Sequence, residues 1–125
     1  MKTTIYNQHS ENTDWQNKLS FYKDELKIMQ ERLEEISKKN TSKEVMKEVE
    51  HFQNQFIIQN DNISRIARSL KSDEKKLQDN IKRNPVAVDH RKAEDHSDER
   101  NTVQGFENNF ESLRRDYNNF LSKRL

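Results

Sequence analysis

Cysteine is absent from this chain, and glycine and proline occur once each. The missing cysteine excludes disulfides, thiolate metal sites and thiol nucleophiles, and it leaves the redox compartment open. One glycine and one proline are too few for the turns of a β-sandwich or barrel. A single glycine also builds neither a phosphate-cradling loop nor a nucleophile elbow. No apolar run approaches the roughly 18 residues of a membrane span. The opening "MKTTIYNQHSENTDW" lacks the continuous apolar stretch of a secretory signal, so the expected location, by default, is cytoplasmic. An excess of one charge is missing too. Lys and Arg number 23 against 22 Asp and Glu, for a net charge of +1, so no global field draws in nucleic acid or an anionic membrane.

What is present is charge and amide in bulk, with apolar residues held to 30% of 125. That balance leans toward disorder only if the apolar residues are scattered, and they are not. Trp15, Leu19, Tyr22, Leu26, Met29, Leu33 and Ile36 recur at alternating spacings of four and three, a heptad stripe on one helix face. Thr13 with Gln16 reads as a capping box, and Lys38 and Lys39 suit the negative end of the helix dipole. A first helix is therefore predicted over residues 14–39, preceded by a flexible segment over 1–13. Thr41 with Glu44 reads as a second capping box. Val45, Val49, Phe52, Phe56, Gln59, Ile63, Ile66 and Leu70 continue the pattern, weakening to Leu77 and Ile81. This predicts a second helix over 42–82, roughly 60 Å long. Asn84 before Pro85 is a good helix start, and a third seam runs through Val103, Phe106, Phe110, Leu113, Tyr117 and Phe120, with Leu121 beside it. The third helix is predicted over 85–124, with Gly105 away from its seam.

Short turns near Asn40 and Asn84 fold these helices into one all-α domain over 14–125, an up-down-up antiparallel three-helix bundle. The apolar seams overlap at one end, which leaves the polar ends of helices 2 and 3 projecting as a two-helix extension. The basic run 65–83 then lies along the acidic run 89–99, where several weak pairs bias register. This organisation resembles spectrin-like repeats in architecture alone, a likeness that carries no chemistry.

Several polar clusters invite a functional reading. Glu48 and His51 spell half of a carboxylate-bridged metal site, but such sites need two of these motifs on core-facing positions. His51 falls off the Val45/Phe52/Phe56 stripe, so the pair reads as helix surface. His90 and His96, with the adjacent carboxylates Glu94 and Asp95, form the alternative weak metal cluster. The basic end of helix 2 supplies the other alternative, nucleic-acid binding, and its matching with the acidic segment argues against it. Carboxylates on solvated faces lack the shielded pocket that tunes a general acid. No catalytic residue, cofactor or small-molecule substrate is therefore expected.

The surplus is apolar. Phe21 and Ile28 lie one heptad apart and off the first stripe. Met46 and Ile57 form a line that would widen the core face of helix 2, with Ile58 on its far side. An apolar line rimmed by charge suits a partner groove or self-association. The expected function is non-catalytic protein–protein interaction, with a partner protein or with itself as a homo-oligomer, through Phe21, Ile28 and Ile58. Gln59, an amide within a seam, is the expected setter of register.

Overall fold

A computed structural model describes residues 5–83 and 89–124, with side chains described for 7–79, 82 and 97–124. The chain is an all-α three-helix bundle: α1 Ile5–Lys39, α2 Lys43–Arg83 and α3 Asp89–Arg124. No helix among the described residues is long and apolar enough to cross a membrane. The predicted start of the third helix at Asn84 and Pro85 lies outside the described residues, as does the side chain of Ile81.

The apolar seams are the core. Leu26, Val49, Phe56, Leu70 and Phe110 are fully buried, and every other predicted seam residue whose side chain is described is buried or packed against them. Periodicity alone brings this about, because residues three and four apart share one face of a helix. Two aromatic clusters lie within the core. Tyr22, Phe106 and Phe110 pack between α1 and α3, while Phe52, Phe56, Tyr117 and Phe120 pack between α2 and α3. The Tyr117 hydroxyl donates to the Met29 carbonyl at 3.0 Å, so its one polar atom is satisfied inside the core.

Ion pairs fix the direction of α3. Arg100 pairs with Glu11, Glu107 with Lys18 and Arg114 with Glu25, each pair spanning 89 residues and each one heptad on from the last. A constant offset means that α3 runs parallel to α1. Against α2 the order reverses, since Arg124 bonds Glu48, Tyr117 packs on Phe56, and Ser69 bonds Glu99. The bundle is thus up-down-up in the contacts that hold it.

The first helix begins nine residues before the predicted start. Thr13 is no cap; its hydroxyl donates to the His9 carbonyl at 3.1 Å, inside the helix. Residues 5–13 are the first turns of α1, not a separate flexible segment. The heptad continues upstream through Gln8 and Asn12, both only 2% exposed. Polar residues occupy these core positions, so the apolar pattern stops at Trp15 while the helix does not. One consequence is that α1 runs beside α2 as far as Glu74, which shortens the expected two-helix extension.

The turn between α1 and α2 is also capped by different residues from those predicted. Ser42, not Thr41, accepts the Val45 amide on its side chain at 3.3 Å. Asn40 closes α1 by donating its backbone and side-chain amides to the Ile36 carbonyl at 3.0 and 3.3 Å.

Candidate interaction surfaces

Phe21 and Ile28 stand on the outer flank of α1, 65% and 59% exposed. Beneath them lies an aromatic layer. The Phe21 ring meets Tyr22 edge-on at 6.2 Å, and Tyr22 in turn packs on Phe106 and Phe110. Arg114 grips Glu25 through two bonds of 2.5 and 2.7 Å and lays its guanidinium over the rings of Tyr22 and Phe110. That geometry serves both the ion pair and the ring faces. The hydrogen bonds that Arg114 donates to Glu25 raise its pKa further. Burial, followed by the charge of Glu107, raises the Tyr22 phenol above its ordinary value against the opposing pull of Arg114. Beside Ile28 a cleft of about 170 Å³ opens between α1 and α3, lined by the apolar Met29, Tyr117 and Leu121 and by Glu25, Arg32 and Arg114. Burial pushes the Tyr117 hydroxyl up to about 12, so it stays a neutral donor.

Ile58 is 49% exposed and lies on α2, away from this stripe. It sits four and seven residues before Asn62 and Arg65, which line a wider groove of about 670 Å³ between α2 and α3. Ile66 and Phe106 contribute its apolar side chains, and Asp73, Asp98 and Glu99 supply carboxylates. Gly105 lies on this groove's wall, where an added Cβ would meet nothing within 4 Å. The structure therefore brings Phe21 and Ile28 onto one stripe but does not bring Ile58 to it. Ile57 departs from expectation as well: it is 55% exposed instead of widening the core face, while Met46 is half-buried.

The Glu48–His51 pair is spent on ordinary packing. The Glu48 carboxylate accepts two bonds from Arg124, at 3.0 and 3.2 Å, and the exposed His51 ring stands edge-on to Phe52. The side chains of His90, Glu94, Asp95 and His96 lie outside the described residues, and among the described residues no three His, Cys, Asp or Glu converge. Of the expected matching between the basic end of α2 and the acidic start of α3, the described contact is a 2.8 Å bond from Ser69 to Glu99. Arg65 turns to Asn62 on its own helix.

A polar cluster at the far end of α1 was missed by sequence reasoning. Glu74 accepts Asn12 at 2.8 Å and Gln78 at 3.3 Å, and it also pairs with His9. Burial alone raises the Glu74 carboxyl. The hydrogen bonds from Asn12 and His9 outweigh that effect and hold it below its ordinary value. The available signal was Ile5, which falls three residues before Gln8 and keeps the heptad phase. Gln8 Nε2, Asn12 Oδ1 and Gln59 Oε1 are buried without a hydrogen-bond partner among the described residues.

No family model matches the sequence, and no curated protein or solved structure matches it either.

Proposed function

We propose that this protein is a non-catalytic helical bundle that acts by protein–protein contact, with a partner or with another copy of itself, through the Phe21–Ile28 stripe of α1. One observation carries the reading. A helix whose seam residues are all buried or packed against the core leaves two large apolar side chains, one heptad apart, more than half exposed. Burying both contributes roughly 3–5 kcal/mol before the cost of association, enough for a weak helix-in-groove contact. The edge-on contact of Phe21 with Tyr22 favours such use, because part of the anchor's freedom is already lost before binding. Ile58, on the α2–α3 side, supplies a second and separate contact point.

The test compares wild type with the Phe21→Gln/Ile28→Lys variant. Mass in solution is measured by sedimentation, and co-purifying proteins are recovered from the native source. Association or partner recovery by wild type, lost in the variant at unchanged helicity, is the expected outcome. A wild type that is a strict monomer with no partner, or a variant that keeps the partner, removes the reading.

A further inference from the structure

The charges around the α1 stripe narrow the partner, on the premise that this stripe is the docking face. The helical neighbours of Phe21 and Ile28, three, four or seven residues away, include Asp14, Asp24, Glu25, Glu31 and Glu35 against Lys18 and Arg32. Lys18 is already committed to Glu107 at 3.4 Å, and Glu25 to Arg114. What remains is four carboxylates and one guanidinium, all on exposed positions of α1. Glu111 of α3 adds to this side, lying four residues after Glu107 and three before Arg114, both of which pair with α1. The apolar pair is thus set in an acidic field.

A second copy of the chain fits this field badly. A two-fold interface is self-complementary, so each residue that it uses meets the same patch on the other subunit. Asp24 lies between Phe21 and Ile28 in sequence. A two-fold contact centred on that pair, in parallel or antiparallel alignment, brings Asp24 close to its own copy, and like charges brought together in an interface cost affinity.

We infer that the α1–α3 face docks an amphipathic helix of another protein, one carrying apolar residues a heptad apart flanked by Lys or Arg. The apolar anchors would sit over Phe21, Ile28 and the cleft above Met29, Tyr117 and Leu121. The basic flanks would meet Asp24, Glu31 and Glu111.

Two synthetic amphipathic peptides test this, each with Leu anchors one heptad apart, one flanked by Lys and the other by Glu. Fluorescence anisotropy with wild type should show the Lys peptide binding at least about tenfold more tightly. That advantage should shrink as salt is added. Asp24→Lys/Glu111→Lys should abolish the preference, and Phe21→Gln/Ile28→Gln should weaken binding by about tenfold or more at unchanged helicity. Equal binding of both peptides, lost in Phe21→Gln/Ile28→Gln, overturns the basic partner and leaves the docking face standing. A wild type that dimerises through these residues does the same. Binding of neither peptide overturns the inference, and Lys-peptide binding that ignores Phe21→Gln/Ile28→Gln overturns the docking face as well.

Discussion

Leu26 and His51 mark the two ends of what a single residue does in this protein. Leu26 and Phe56 are fully buried, so truncating either to alanine should cost about 2–5 kcal/mol in urea unfolding. His51 is exposed, its ring edge-on to Phe52, so His51→Ala should cost under about 0.5 kcal/mol. An equal cost for His51→Ala would mean that the Glu48–His51 pair has a role its packing does not show. Gly105 invites the opposite change. It is a helix-interior glycine with open space at its Cβ position, and Gly105→Ala should stabilise the fold by about 0.5–1 kcal/mol in the same assay. Tyr117 sets an alkaline limit. Its folded pKa, about 12, is raised from 10.0, so its contribution is complete below pH 10 and is lost as pH rises toward 12. Tyr117→Phe should remove that part of the alkaline loss; a pH profile unchanged in the variant would contradict the assignment.

At the scale of the helix, the apolar seams were legible and the ends were not. Trp15 to Ile36, Val45 to Leu70 and Val103 to Leu121 announce themselves because each apolar residue recurs every three or four positions. The first two turns of α1 stay hidden because Gln8 and Asn12 are polar, and Asn12 is held by Glu74, 62 residues away. No local pattern encodes such a partner. The α1–α3 ion-pair ladder was encoded, since Glu11, Lys18 and Glu25 recur every seven residues, as do Arg100, Glu107 and Arg114 with opposite signs. It becomes legible only once the two helices are known to run parallel. The Glu74 cluster yields a test at this scale. Its carboxyl is held low by its hydrogen bonds, so the stability it contributes is present above the ordinary carboxylate pKa. That stability is lost as pH falls through the depressed value. Hydrogen-exchange protection at residues 8–12, taken relative to the intrinsic exchange rate at each pH, should therefore fall on acidification before protection at 26–33 does, and Glu74→Gln should flatten that response. Simultaneous opening of both segments would show that the cluster does not hold the end of α1.

For the whole molecule, three overlapping seams predicted a three-helix bundle, and the contacts place the helices as that count requires. The candidate surface was legible only in part. Phe21 and Ile28 were found because they break a regular seam, whereas Ile58 was grouped with them on exposure alone. Three-dimensional placement puts Ile58 on the α2–α3 side, a distinction that one helix read at a time cannot make. Everything proposed for this protein rests on the α1 stripe being surface and not core. Equilibrium urea unfolding of Phe21→Gln/Ile28→Lys beside Leu26→Ala tests that most directly. The double variant should keep wild-type helicity and stay within about 1 kcal/mol of wild type, as exposed substitutions do, while Leu26→Ala loses about 2–5 kcal/mol. A double variant that loses as much as Leu26→Ala would mean that Phe21 and Ile28 are buried in the folded protein, and that α1 offers no free face to a partner.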